Sequence, residues 1–310
     1  MKKTPLIVGI GEVLWDIFPD ATHFGGAPAN LVCHAAALGV EAILVSSTGA
    51  DDLGKQAVSV LKQKGISTDW IQLAPDHPTG AVNVALDEKG QASYQFQADS
   101  AWDHLKWNHE LVSLAVRCGA VVFGSLAQRS PESAETILRF VNATSSTALR
   151  VFDVNLRQAY YSKRGIEESL NVANVLKLNS EELLILQQLL GLKQSSERAL
   201  LTELSRRFAL HTIALTRGEN GSLLLINETF TEVLLPSTNV VDTVGAGDAF
   251  TAALIVGLLA NAVQTEIHFQ ASAIASYVCS QSGATPELPA ELAHSFSQIP
   301  KLPGITQNTE

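Results

Sequence analysis

Short apolar runs alternate with amphipathic patterns along most of this 310-residue chain, and that rhythm limits the fold more than any single motif. Strand-like runs fall at Leu6–Ile10, Ala42–Ser46, Ala120–Phe123, Val151–Val154, Val175–Leu178, Thr212–Leu215 and Ser222–Ile226. Nearly unbroken apolar runs of this length suit strands buried on both faces. Helical patterns separate most of them. In Asp52–Lys64, the residues Leu53, Ala57, Val60 and Leu61 fall on one helical face. Ser130-Pro131-Glu132 opens another helix, a capping residue followed by proline at the first helical position. Alternating strands and helices imply a mostly parallel sheet covered on both faces. One stretch breaks the rhythm: Thr79–Leu86 and Gln91–Phe96 read as strands joined by Asp87-Glu88-Lys89-Gly90, a hairpin signal. Ala92, Tyr94 and Phe96 share a face by alternation. Such a hairpin is either a lid over a substrate or a surface hairpin packed on its own domain.

Charge and cysteine usage narrow the function. With 31 acidic and 21 basic residues the net charge is −10, which disfavours nucleic acid or an anionic membrane surface as a partner. A polyanionic nucleotide would have to rely on local features such as helix N-termini and a metal ion. The composition is 46% hydrophobic, ample for a large buried core. Cys33, Cys118 and Cys279 are far apart, odd in number and set in apolar contexts, as expected of buried thiols in a reducing compartment. After Met1-Lys2-Lys3, Glu12 and Asp16 interrupt the apolar run too early for a signal peptide. No stretch approaches the ~18 apolar residues a membrane span needs. A cytoplasmic location is expected. Ile305–Glu310 reads as a frayed tail.

Three local constellations point to chemistry. Asp242-Thr243-Val244-Gly245-Ala246-Gly247-Asp248-Ala249 leads into a long apolar helix from about Gly245 to Leu259. Glycine lets the backbone approach a phosphate closely. The free N–H groups and partly positive end of a helix hold anions. A carboxylate amid phosphates is otherwise repulsive, so Asp248 is a candidate base for a hydroxyl attacking a phosphoryl group. Alone, it could equally be an ordinary first-turn acid. Gly25-Gly26-Ala27-Pro28-Ala29-Asn30 runs into a second apolar helix, Leu31 to Leu38, ending at Gly39. Asp16 lies just past the first strand, where open α/β sheets place ligands. Asp16 and Asn30 together suit a polyol, one accepting from hydroxyls and the other both donating and accepting. Either alone reads as a surface turn.

Two lookalikes fail. Gly9-Ile10-Gly11 begins a dinucleotide fingerprint, but Leu14 holds the third glycine position and no acid lies suitably about twenty residues beyond. Gly49-Ala50-Asp51-Asp52-Leu53-Gly54-Lys55 has the Walker A spacing, yet Gln56 replaces the Ser or Thr that would hold magnesium.

From Gly9 to about Pro289 the chain resembles the ribokinase-like (PfkB) carbohydrate kinases. The two signatures match as Gly25–Asn30 with Gly39, and as Asp242–Phe250. Between them Gly49–Gly54, Asp153-Val154-Asn155-Leu156-Arg157, Asn179-Ser180-Glu181-Glu182 and Thr216-Arg217-Gly218 occur in the family's order. Gly11-Glu12, Asp16-Ile17-Phe18-Pro19 and Ser100-Ala101-Trp102-Asp103 look most like the fructokinase branch. The resemblance implies a single α/β domain over residues 1–310. It would be a ribokinase-like three-layer sandwich with a mostly parallel central sheet and a small β lid from about 12–24 and 79–100. The lid is also a candidate surface for a homodimer.

By the same resemblance Asp248 is the base, and the N–H groups of Gly245, Ala246, Gly247 and Asp248 form the anion hole. Asp16, Gly25, Gly26 and Asn30 would bind the sugar. Asn179, Glu182, Thr216 and Gly218 would serve ATP and its magnesium, Glu182 acting on Mg2+ through water. Tyr94 and Phe96 would cover the sugar. Arg157 would grip a phosphate or a sugar hydroxyl, or else be a salt-bridged surface residue. Asp242, Val244 and Gly283 match a site for a monovalent cation such as K+. An acidity of Asp248 near 4 is expected. The activity implied is transfer of the ATP γ-phosphoryl group to a sugar, most simply fructose. Ribose, a 2-keto-3-deoxy sugar acid or a nucleoside are alternatives on the same fold. A catalytically idle sugar-binding regulator and a dinucleotide oxidoreductase are the readings from other classes.

Overall fold

A computed structural model describes residues 5–86, 92–235 and 238–296. The strands are β1 Leu6–Ile10, β2 Leu14–Ile17, β3 Thr22–Gly25, β4 Glu41–Thr48, β5 Ile71–Leu73, β6 Gly80–Leu86 and β7 Ala92–Phe96. They continue as β8 Ala120–Gly124, β9 Leu149–Asp153, β10 Val175–Asn179, β11 Thr212–Thr216, β12 Ser222–Ile226 and β13 Thr229–Val233. The helices are α1 Ala27–Ala37, α2 Asp52–Gln63, α3 His109–Arg117, α4 Pro131–Ala143 and α5 Lys163–Val172. After them come α6 Ser180–Leu190, α7 Glu197–Phe208, α8 Ala246–Leu259, α9 Gln264–Cys279 and α10 Ala290–Ala293. The expected turn Asp87–Gly90, Gln91, Met1-Lys2-Lys3 and the tail Ile305–Glu310 lie outside the described residues.

Nine strands form one sheet in the order β13-β12-β11-β10-β9-β8-β1-β4-β5. The neighbours from β11 through β5 all run parallel, whereas β12 and β13 pair antiparallel at one edge. The chain first builds outward from β1 through β4 to β5, then returns to the other side of β1 and builds from β8 to β13. The order therefore reverses between β1 and β8, and a crevice at the carboxyl ends of those strands is where such sheets bind ligands.

Alternate strand residues serve opposite helical layers. Ile7, Leu44, Val122 and Val151 pack with Leu31 and Val32 of α1, Phe250 and Leu254 of α8, and Ile274 of α9. Their chain neighbours Val8, Val45, Val121 and Phe152 face Leu114 of α3, Phe140 of α4, Leu170 of α5 and Leu186 of α6. Both faces are covered, as the unbroken apolar runs predict. Helix α8 is buried from Ala249 to Gly257, which explains why its sequence carries no polar stripe. Among the described residues no helix is long and apolar enough to cross a membrane.

A second sheet, β3-β2-β6-β7, contains the hairpin read from the sequence. It is mixed, because β2 runs parallel to β6 while the other pairs are antiparallel. Its register sets His23, Asp16, Val82 and Phe96 in one row across one face. On the other face Trp15 meets Phe24 edge-on at 5.6 Å and donates its Nε1–H to the Leu53 carbonyl, tying this sheet to α2.

Candidate active site

The crevice between β1 and β8 is closed from one side by two helix N-termini. Gly26 caps α1 with φ 106°, and a side chain there would put a Cβ 2.6 Å from the Glu12 carbonyl. Gly245 caps α8 in the left-handed region, φ 78°, with the Ala284 carbonyl only 2.1 Å from where a Cβ would sit. Both positions exclude other residues by backbone conformation and by space. The two helices aim their first turns at each other, and Asn30 Nδ2 donates to Asp248 Oδ2 at 2.9 Å. The two sequence signatures, more than two hundred residues apart, are joined at that bond.

Asp248 sits in the first turn of α8, partly buried. Burial and the negative charge of Asp153 push its carboxyl up to about 7, against the Asn30 hydrogen bond and the charges of Lys177 and Arg157. The expected acidity near 4 is thus corrected: sequence supplies the residue but not the desolvation. Glu12, two residues beyond β1, is 2% exposed. Burial pushes it up to about 7 as well, offset in part by N–H groups of Glu12 itself and Ala27. Glu12 Oε2 and Asn30 Oδ1 are buried without a hydrogen-bond partner among the described residues. Two such acceptors beside Asp248 are costly unless a donor reaches them. Asp16 projects from β2 of the small sheet, close enough to Gly25 that a Cβ there would lie 2.9 Å from Asp16 Oδ2. Its acidity is weakened chiefly by burial, with Arg157 and His23 opposing and Asp242 adding to the effect.

Arg157 lies four residues past β9, exposed and free of any ion pair among the described residues, with one N–H on its own Leu156 carbonyl. Its charge acts on Glu12, Asp16 and Asp248 together, so it belongs to this crevice and is not a salt-bridged surface residue. Asn179 and Glu182 form a reciprocal cap on α6. Asn179 Oδ1 accepts from Glu182 N at 2.9 Å, and Glu182 Oε2 from Asn179 N at 2.8 Å. Glu182 Oε1 also accepts from Leu156 N at 2.9 Å. Both Glu182 oxygens are thus engaged by backbone N–H groups. Thr216 ends β11 opposite Asn179, and Gly218 follows in a short 3-10 turn. Asp153, Asn179 and Thr216 thus end adjacent strands along one edge. Asp242 Oδ1 accepts from Val244 N and Oδ2 from Gly283 N, clamping the approach to α8 against the 283 turn. Ala246 N spends a weak, 3.4 Å bond on Thr243, and the N–H groups of Gly247 and Asp248 open the helix beside it. The hairpin aromatics divide. Phe96 meets Tyr160 edge-on at 5.6 Å, while Tyr94 is 49% exposed and has no aromatic ring partner among the described residues.

Sequence reasoning gave no role to Lys177, Asp153, Thr251 or Glu12. Lys177 Nζ bonds Asp153 Oδ1 at 3.1 Å, and Thr251 Oγ1 donates to Asp153 Oδ2 at 2.9 Å, all three buried. Burial opposes the Lys177 charge, yet Asp153, Glu182 and Asp248 hold its acidity weaker than that of a free lysine. A Cβ on Gly247 would stand 2.9 Å from this ammonium, so the cation reaches the start of α8. The available signal was a lysine inside the apolar run Val175–Leu178, a position no lysine occupies unpaired.

The model of the pfkB family of carbohydrate kinases matches residues 20–291. The chain belongs to that family. It is 32% identical to a sugar kinase of Pyrococcus horikoshii, PH1459, over 82% of this chain and 83% of the relative. The crystal structure of the sugar kinase PH1459 in complex with ATP is similar at TM-score 0.79 with 28% identity, covering 93% and 99% of the two chains. A fructokinase of Salmonella typhimurium is 26% identical over 83% of this chain and 86% of its own. A fructokinase with bound ATP from Xylella fastidiosa shares the fold at TM-score 0.82 and 22% identity, covering 94% and 97%. These likenesses establish the ribokinase-like fold with its large mostly parallel sheet and small second sheet.

Proposed function

We propose that this carbohydrate kinase transfers the γ-phosphoryl group of ATP to a hydroxyl of fructose, with Asp248 as the base. The observation that carries the reading is the pairing of Asp248 with Asn30 beside two buried, unpartnered acceptors, Asn30 Oδ1 and Glu12 Oε2. A polyol supplies hydroxyl donors to both, and Asp16 supplies a further acceptor from the small sheet. A silent sugar binder would have no use for a carboxylate held at the anion-binding end of α8. The fructokinase relatives support fructose among the sugars this family accepts.

Phosphoryl transfer depends mostly on positioning and on stabilising charge spread over the transferred group. The first-turn N–H groups of α8, Gly247 and Asp248 with Ala246, face the developing charge. Lys177, kept cationic by Asp153, and Arg157 add positive potential from the opposite wall. Asp248 accepts the hydroxyl proton. With its pKa raised to about 7, its carboxylate is a better proton acceptor than that of an ordinary aspartate. ATP would lie along the strand ends at Asn179, Thr216 and Gly218. Magnesium supplies charge neutralisation on the phosphates, reached from Glu182 through water. Asp242, Val244 and Gly283 would frame a potassium ion. The small sheet acts as the lid of a single domain, and its outer edge is the surface through which two copies would pair.

Coupled ADP release across fructose, ribose, 2-keto-3-deoxygluconate and a nucleoside tests the assignment. Fructose should give the highest kcat/KM. Preference for another member of the panel would overturn fructose while leaving the kinase reading, and no ATP-dependent phosphorylation of any would overturn both.

A further inference from the structure

His77, Asp99 and His104 meet where both ends of the β6–β7 hairpin leave the body of the protein. His77 precedes β6 by three residues, Asp99 follows β7 by three, and His104 closes the short turn Ala101–His104. His104 Nε2 lies 2.7 Å from Asp99 Oδ1, and His77 Nδ1 lies 3.3 Å from Asp99 Oδ2. The three ligand atoms lie within 4.8 Å of one another. None of them takes part in the phosphoryl transfer described above.

The hydrogen bonding around His104 is that of a metal ligand. Glu132 on α4 holds its Nδ1 at 3.0 Å from Oε2. When Nδ1–H is donated to Glu132, the neutral ring turns its Nε2 lone pair toward a carboxylate oxygen. Two lone pairs at 2.7 Å repel unless a cation lies between them or the ring carries a second proton. A carboxylate on the far nitrogen is also the common outer partner of a metal-bound imidazole. His77 favours the cation. Its Nδ1 is buried, and among the described residues its contact with Asp99 Oδ2 is too poorly aligned for a well-formed hydrogen bond. A doubly protonated His104 satisfies Asp99 and Glu132 but leaves His77 Nδ1 with only a long, 3.3 Å contact to Asp99 Oδ2, whereas a shared ion engages all three groups. Two imidazoles and a carboxylate, with water as a fourth ligand, match the donors zinc takes at ~2.0–2.2 Å. The rings stack with centroids 3.5 Å apart and 17° between planes, so one must tilt to aim both lone pairs at one ion. A cavity of about 160 Å³ bordered by Ser47, His77, His104 and Glu132 supplies room and access.

We propose that His77, Asp99 and His104 form a site for zinc or a similar divalent transition metal, oriented by Glu132, and that the bound ion fastens both ends of the hairpin to α4. The full-length protein, stripped with chelator, is titrated with zinc chloride without nucleotide or sugar. A chromophoric chelator reads free zinc, and scanning calorimetry reads Tm. The wild type should take up one zinc per chain with a rise in Tm, as should Asp248→Asn, which separates this site from the crevice carboxylates. The double variant His77→Ala/His104→Ala should lose both the uptake and the rise while keeping its zinc-free turnover. Glu132→Gln should bind ~10–100-fold more weakly. If the double variant folds poorly, Asp99→Asn at its exposed position makes the same comparison. No uptake by wild type at micromolar free zinc, or equal uptake and Tm rise in the ligand variants, overturns the site. Unchanged affinity in Glu132→Gln overturns the part assigned to Glu132.

Discussion

Asp248→Asn should remove activity and add stability, with a pH dependence that identifies the cause. The wild-type carboxyl rises from an ordinary 3.8 to about 7 in the folded protein, chiefly through burial. Each tenfold change in an acid constant corresponds to about 1.4 kcal/mol. Holding Asp248 ionised at pH 8 therefore costs up to about 4 kcal/mol, less what partial water access screens. The sign follows from linkage. Below pH 4 the carboxyl is neutral in both folded and unfolded chains and contributes no difference. Between about 4 and 7 the unfolded chain ionises while the folded one resists, so folded stability falls with rising pH, and the loss is complete above 7. Asparagine keeps the shape and can still accept from Asn30 Nδ2 without carrying the charge. The variant should be ~1–4 kcal/mol more stable than wild type in urea unfolding at pH 8, and the gap should close toward pH 4. Turnover should fall by ~10²–10⁴ with fructose and ATP saturating. A gain of equal size at pH 4 and 8 would refute burial of the charge as its origin. Near-normal turnover would refute Asp248 as the base.

Gly245→Ala should cost more than ~1 kcal/mol in thermal unfolding, because φ 78° and the Ala284 carbonyl both oppose a Cβ; a neutral result would show that the α8 cap relaxes freely. Lys177→Met leaves Asp153 buried without its partner, so ~3–5 kcal/mol of destabilisation is expected; urea unfolding of the variant checks this, and a loss below ~1 kcal/mol would refute it. Asp16→Ala should raise the sugar KM far more than the ATP KM, and parallel increases in both would remove Asp16 from sugar recognition. Phe96→Ala should release ADP without matching sugar phosphate, since a loosened lid admits water, whereas Tyr94→Ala should stay coupled. Tight coupling in Phe96→Ala would show that the hairpin is no lid.

The layered fold was legible in the sequence because its cause is local. Runs such as Val175–Leu178 and Ser222–Ile226 are apolar at consecutive positions only when helices cover both faces, and β10 and β12 appear within a residue of those bounds. The cap at Ser130-Pro131 and the helix at Asp52 were likewise written into neighbouring residues. Gly26, Asn30, Gly245 and Asp248 could be picked out because each sits where glycine or a polar group meets a helix start.

Only tertiary structure decided what those residues do to one another. The Asn30–Asp248 bond and the Lys177–Asp153–Thr251 chain join positions far apart in sequence, through strand register and helix packing that no local pattern encodes. Phe96 and Tyr94, equivalent by alternation, were separated by Tyr160, which happens to stand against one of them. The acidity of Asp248 was the least legible property. A carboxyl's proton affinity depends on the water and charges around it, and those are fixed only when α1, α8 and the ends of β1, β9 and β10 converge.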